Sequence, residues 1–527
     1  MQKPILYYNG HLLTQDPNLP SATAFVVQNG LFVSVGKDED YRLQSDQYGV
    51  TIDLQQKTVI PAFNDAHIHI WKVGHLLTTM LDLRGIRSIK EIQQQLRDFA
   101  SRYPEAPWLL ARGFNEALLE EQRFPNRFDL DAAVGDRPVY MIRTCAHQAI
   151  VNTKALEIAG IHADTPIPAG GEILLLPDGS LAGHFTETAM GLITRHFPPF
   201  TATEYRRMIL AAQDALLKAG ITAACDPAVL PDLLEVYKDM DRRGELKIRI
   251  NAIATRVPDG ATEALPLPEP YESDCLKINS VKFFADGGLS GKTAAMNRCY
   301  KNTQEYGVLR LKEDLFEKWA LEAHRAGLRI ATHAIGDAAM EMVVRVYTRL
   351  NLDNPMRLRH RIEHVGFPSP YDLEQMRQQG IFAVMQPVFL WELGRNFKKY
   401  LDDDYLSRTY PCHSVLERGV GLAFSSDAPV VRDFHPLTGL RAAMDRRDAD
   451  GFFIAPDQSI TLPEALYAYT MGSAAACGDA AVRGSITPGK RADFIVLEAP
   501  LEQLVAAPEP YVSGKPIGKV YRGGVLT

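Results

Sequence analysis

Apolar positions along the chain recur at two spacings, and their alternation predicts the architecture. Over 204–219, Tyr205, Met208, Ile209, Ala212, Leu216 and Leu217 fall at helical spacing, Gly220 stops the helix, and Ile221 to Cys225 follow as an apolar strand. The pattern repeats downstream: a strand at 281–284, a helix over 314–326, a strand at 329–333, a helix over 338–350, a strand at 358–365, a helix over 373–379 and a strand at 381–384. Repeated βα units predict a parallel α/β barrel of the TIM-like (β/α)8 type. The span 61–474 exceeds the ~250 residues of a typical barrel. An insertion is therefore expected, and the Pro- and Gly-rich stretch around 104–200 is its place.

The two ends have another texture. Asn9-Gly10 and Asn29-Gly30 separate short apolar runs and predict hairpins within the first sixty residues. Runs at 493–497, 519–521 and 522–526, with Pro and Gly between, look the same. The ends are expected to pair, giving a discontinuous β-sandwich domain (1–60 with 475–527) beside the barrel domain (61–474).

Composition narrows the function classes. With 46% hydrophobic residues in 527, the chain can bury a sizeable core. Its 57 Lys and Arg against 64 Asp and Glu, net charge -7, offer no electrostatic footprint for nucleic acid or an anionic membrane. A small-molecule substrate is the expected partner. The six cysteines are scattered without a CxxC pair, which fits a reducing compartment. No signal-peptide core and no apolar run approaching ~20 residues is seen. The expectation is a soluble, cytoplasmic protein.

Candidate chemistry centres on Pro61-Ala62-Phe63-Asn64-Asp65-Ala66-His67-Ile68-His69. On a strand, residues i and i+2 share a face, so His67 and His69 present two imidazoles in one direction, as a metal requires. An isolated HxH is more often a structural pair. Three more strand exits change the balance: His333, His364 and, after Ala423-Phe424-Ser425-Ser426, Asp427. Residues at C-terminal strand ends line the active face of such a barrel. His360 shares strand parity with His364 but lies at the strand's other end, where barrel residues support stability.

Taken together, these motifs resemble the amidohydrolase superfamily. Val281-Lys282-Phe283-Phe284-Ala285-Asp286-Gly287-Gly288, Ala331-Thr332-His333-Ala334-Ile335-Gly336-Asp337 and Arg361-Ile362-Glu363-His364 resemble more narrowly its YtcJ-like branch, which includes the N-substituted formamide deformylases. The likeness covers nearly the whole chain and extends to Leu466-Tyr467-Ala468-Tyr469-Thr470 and to Gly484-Ser485-Ile486-Thr487-Pro488-Gly489-Lys490-Arg491-Ala492-Asp493. It implies one or two divalent ions, Zn²⁺ by ligand type, held by His67, His69, Lys282, His333, His364 and Asp427. Asp427 would also be the catalytic proton carrier, and the reaction would be hydrolysis of an amide or N-formyl C–N bond by metal-activated hydroxide.

Lys282 has two readings: carbamylated, it bridges two ions; unmodified, it pairs with a carboxylate such as Asp286 and one ion is expected. His147, Trp71 and Trp391 are weaker candidates for the substrate pocket, and a homodimer is a family-level expectation. Two alternatives stay open: a hydrolytic deaminase or cyclic amidase of the same superfamily, and a non-catalytic metal-binding or regulatory protein on the same barrel.

Overall fold

The structure, a computed structural model, describes residues 3–41, 48–143, 148–168, 171–258, 261–353, 358–506 and 517–527. The chain divides into two compact units, Met1–Ile70 with Gln213–Thr527, and Trp71–Ala212.

The first unit holds an eight-stranded parallel barrel: β1 (Phe63–Asp65), β2 (Ile221–Val229), β3 (Arg249–Thr255), β4 (Leu276–Phe284), β5 (Arg329–Ala334), β6 (Arg361–His364), β7 (Phe382–Met385) and β8 (Leu422–Phe424). Neighbours pair in sequence order from β1 to β8. The ring is nearly closed where β8 returns to β1: Ala66 N donates to Phe424 O at 3.2 Å, and Asp427 N to His67 O at 2.7 Å. The buried runs that form these strands, rich in Ile, Val, Ala and Phe, are continuous rather than alternating, because helices cover the outer face.

Helices follow the strands much as the apolar spacing predicts. The helix expected over 204–219 is α1 (Ala202–Lys218), that over 314–326 is α2 (Glu313–Arg325), and that over 338–350 is α3 (Asp337–Asp353). The helix α4 (Pro370–Gln379) begins earlier than its apolar spacing suggests. Ser369 caps it in a reciprocal box with Asp372, Pro370 occupies the first turn, and Gly380, with φ 66°, ends it. After β7 comes α5 (Val388–Tyr400) and after β8 comes α6 (Pro436–Asp445).

One strand departs from expectation. The extended run read at 358–365 is regular only over Arg361–His364: His360 N donates to Leu358 O in a turn before it, and left-handed backbone at His364 (φ 77°) and Val365 (φ 51°) ends it.

Both chain ends meet in two small sheets. A four-stranded sheet joins Leu31–Gly36, Ala24–Gln28, Ile5–Tyr8 and Val50–Asp53. A six-stranded sheet pairs N-terminal Thr58–Pro61 with C-terminal Phe494–Leu497, Ile60 opposite Ile495. One core serves both: Tyr7 stacks on Phe25 at 4.7 Å, Phe494 on Tyr521 at 4.5 Å, and Phe25 meets Phe494 edge-on at 4.9 Å. Each such pair adds about 0.5–1.5 kcal/mol beyond area burial. The fold is thus a TIM-like (β/α)8 barrel with a β-sandwich built from both termini.

The second unit, Trp71–Ala212, encloses the stretch in which the sequence places an insertion. Its six-stranded sheet runs Gly171–Leu175, Leu181–Glu187, Gln148–Val151, Val139–Arg143, Leu109–Phe114 and Met80–Asp82. The amphipathic helix Ile89–Arg102 buries Ile92, Leu96 and Phe99 in a core with Leu109, Phe114 and Met141. Among the described residues, no helix is long and apolar enough to cross a membrane.

Candidate metal centre

At the C-terminal ends of the barrel strands the chain buries a cluster of polar groups. His67 and His69 follow β1, and Asp427 follows β8 across the seam that nearly closes the ring. Asp427 Oδ1 lies 3.2 Å from His67 Nε2 and 3.4 Å from His69 Nε2. One ligand atom from each residue falls within 4.8 Å of the others.

Asp65 holds this geometry. Its fully buried carboxyl accepts from His67 N at 3.0 Å and from Ser426 Oγ at 2.6 Å, tying the two ligand-bearing segments together. Burial pushes the Asp65 carboxyl up to about 7, against the pull of those donors. Asp427 itself is in left-handed backbone (φ 57°), which aims its side chain back into the barrel.

The ring nitrogens are assigned by their partners. His67 Nδ1 meets the Glu363 carboxylate, which Arg361 grips through Nε (2.5 Å) and Nη2 (2.8 Å). A carboxylate only accepts, so Nδ1 donates, and Nε2, facing Asp427, is the nitrogen that would offer its lone pair to a metal once the ring is neutral. His364 is fixed the same way. Gln386 Nε2 donates to Ser425 Oγ at 2.9 Å, so Gln386 Oε1 accepts from His364 Nδ1 at 2.7 Å. His333 is reversed: its Nε2 donates to the Gly287 carbonyl at 3.0 Å, leaving the lone pair on Nδ1.

Charge follows environment. Burial alone disfavours the charged His67, but the carboxylates of Asp427 and Glu363 outweigh it and raise its pKa. Burial would also raise Asp427, yet the His67 and His69 rings hold it well below the usual carboxylate range. His333 is pushed down to about 3, by burial first and then by the Lys282 ammonium. His364 is likewise held well below its ordinary value by burial and the neighbouring His333. Both are neutral imidazoles at pH 7, the form that ligates metal.

The remaining candidates divide. Lys282, on β4 and buried, lies 5.1 Å above the Phe284 ring, and its charge bears on His67, His333 and His364. Asp286, the carboxylate named as its alternative partner, accepts from the N–H groups of Ala295, Ile335 and Gly336 and lies 3.4 Å from His333 Nε2. Gly336 is required in that turn: a Cβ there would meet the Ala295 carbonyl at 1.9 Å. Phe389 stacks parallel to His364 at 6.0 Å and walls the cluster. Trp391, on the same helix, instead contacts Arg441 through its ring and Ala449 through its carbonyl. Trp71 packs on Phe200 and Tyr205 within the second unit. His147 lies outside the described residues.

Sequence reasoning passed over Glu363, Gln386 and Asp65 as orienting groups. Glu363 stood inside a quoted motif, but strand parity puts it on the face opposite His364. The left-handed turn at His364 brings both residues to His67: the Glu363 carboxylate on Nδ1 and the His364 ring with its centroid at 5.2 Å.

Two imidazole nitrogens and a carboxylate oxygen, buried and preoriented by a further shell of hydrogen bonds, fit a divalent cation, with more neutral imidazoles beside them.

Residues 50–527 match the model of a family described as the amidohydrolase family. The chain is similar to the putative amidohydrolase YtcJ of Bacillus subtilis, 27% identical with 93% of this chain and 94% of that protein covered. It is 24% identical to the N-substituted formamide deformylase of Arthrobacter pascens, over 94% of this chain and 93% of that one. Among solved structures, an uncharacterized metal-dependent hydrolase from Pyrococcus horikoshii superposes with a TM-score of 0.78 at 24% identity, covering 94% of this chain and 98% of the other.

Proposed function

The chain belongs to the amidohydrolase family and is a hydrolase of carbon–nitrogen bonds, and from that premise we propose that it is a Zn²⁺-dependent enzyme cleaving the amide or N-formyl bond of a small molecule. His67, His69 and Asp427 would hold the first ion, and His333, His364 and a carbamylated Lys282 would complete a second position. One observation carries the reading: the His67 Nε2 and His69 Nε2 atoms converge on Asp427 Oδ1 inside a buried strand-end cluster. The names of the deformylase and of the metal-dependent hydrolase support the bond type and the metal.

The chemistry such an ion would supply is a water acidified from about 15.7 toward ~7 and a polarised carbonyl. The chain's own residues do the rest. Glu363, anchored by Arg361, holds the His67 ring in the tautomer whose Nε2 faces the site. Asp427, kept ionised, accepts a proton at Oδ from the attacking water and delivers it to the leaving nitrogen. His333 and His364, kept neutral, add no positive charge to repel the ion. Phe389, stacked on His364, gives the cluster an apolar wall on one side.

The dispersed cysteines support a cytoplasmic protein, and the family resemblance a homodimer. Metal analysis of purified protein, with hydrolysis assays over amides and N-formyl amines, tests the reading. A stoichiometric divalent metal and turnover lost on chelation are expected. A metal-replete protein inert across the panel, with Asp427→Asn changing nothing, would overturn it in favour of a binding protein.

A further inference from the structure

Beneath the polar cluster, inside the same barrel, two cysteines face each other. Cys225, on β2, and Cys477, just after the helix Ser473–Ala476, are both fully buried, and their Sγ atoms are 2.6 Å apart. The rest of their apolar setting is Ile253 of β3 and Ala331 of β5. A disulfide needs about 2.05 Å between the sulfurs, so bond formation asks the sulfurs to approach by about half an ångström.

Polar and cationic groups crowd the pair. Arg361 Nη1 donates to Cys225 Sγ at 3.5 Å, and Asn64 Nδ2 lies 3.6 Å from Cys477 Sγ. Besides Arg361, the guanidiniums of Arg329 and Arg483 bear on the pair, with Asp479 as the opposing charge. Hydrogen bonding from Cys225, and then the Arg483 and Arg361 guanidiniums, bring the Cys477 thiol down despite its burial. Burial and that same contact push Cys225 up, so of the two sulfurs the guanidiniums favour Cys477 as the one that gives up its proton.

We infer that Cys225 and Cys477 are an oxidisable dithiol, which a peroxide closes into a disulfide that staples the floor of the barrel. The Cys477 thiolate attacks one oxygen of hydrogen peroxide, the O–O bond breaks, and Cys477 becomes a sulfenic acid while the departing hydroxide takes up a proton to give water. The Cys225 sulfur then attacks the Cys477 sulfur, the S–O bond breaks, and the leaving hydroxide takes the Cys225 proton as a second water. Two thiols lose two electrons and one peroxide gains them. The bond closes a loop of nearly half the chain, and a crosslink of such span restricts the unfolded ensemble strongly. A reductant reverses it, as befits a redox-responsive bond in a reducing compartment. None of this depends on which metal or substrate the site above takes.

The test treats the full-length protein with hydrogen peroxide, alkylates it in denaturant without reductant and maps the thiols by mass spectrometry. A crosslinked peptide pair bearing Cys225 and Cys477, a mass loss of two hydrogens at that pair, and a rise in Tm reversed by a phosphine are expected. Cys477→Ser should show neither the crosslink nor the rise. Both residues alkylated after peroxide, either oxidised singly, or a crosslink without a change in Tm overturns the inference. The mapping uses the unaltered chain, so it stands even if the serine variant folds poorly.

Discussion

Strand β6 separates two buried histidine clusters whose rings meet opposite fates. At its far end His364 closes on His333 and His67, with ring centroids 4.4 and 5.2 Å away. Just before it, His360 turns outward to the helices: its Nδ1 accepts from Ile330 N at 3.0 Å, its Nε2 donates to His324 Nδ1 of α2 at 2.9 Å, and its ring meets Tyr347 of α3. Both clusters lie largely out of solvent and are rich in imidazole, although His69 and His333 of the first keep a partial exposure. They differ in their carboxylates: Asp427 and Glu363 raise the pKa of His67, whereas burial and then the neighbouring His324 and Arg329 hold His360 far below its ordinary value. Burial and histidine count therefore do not make a metal centre. Converging lone pairs beside an anionic oxygen do, and His360 spends its acceptor nitrogen on the backbone.

The sharpest way to break this contrast is to remove the converging rings. His67→Ala with His69→Ala should abolish tight metal binding and reduce turnover to background, read by metal analysis and kcat. Retained stoichiometric metal would dissolve the distinction between the clusters. Asp427→Asn should leave the fold intact and lower kcat by roughly 10²–10⁴-fold, because an amide cannot take the proton at that oxygen. A loss in KM alone would instead assign Asp427 to binding. Glu363→Gln keeps the shape but weakens the anchor on His67 Nδ1, and metal affinity should fall by about 10–100-fold, measured by competition with a chelator while Tm is followed alongside.

The smallest effect on the site is expected from His360→Ala. Metal content and kcat should not change, while the cavity and the unpaired Ile330 N–H should cost roughly 2–5 kcal/mol of stability, read as a lower Tm. Equal metal losses here and in the His67/His69 variant would show that both clusters bind.

Much of this was legible in the linear pattern. The βα alternation predicts the barrel because continuous apolar runs and helical spacing reflect local periodicity, and the strand-exit positions of His67, His69, His333 and Asp427 follow from it. Parity reasoning failed at β6. It places His360 and His364 on one face and Glu363 on the other, and the left-handed His364 reverses that relation. The roles of Gln386 and Asp65 were illegible for another reason: each acts by joining segments remote in sequence, Asp65 reaching Ser426 and Gln386 reaching both His364 and Ser425.

The amino-acid sequence alone determined the architecture, the donor types and the strand ends that carry them, since these depend on short-range periodicity and on residue chemistry. Tertiary structure decided which nitrogen of each ring carries the lone pair, which carboxylate stays ionised and which histidines never face the site. Those outcomes depend on hydrogen-bond partners and charges that only the nearly closed barrel brings within a few ångströms of one another.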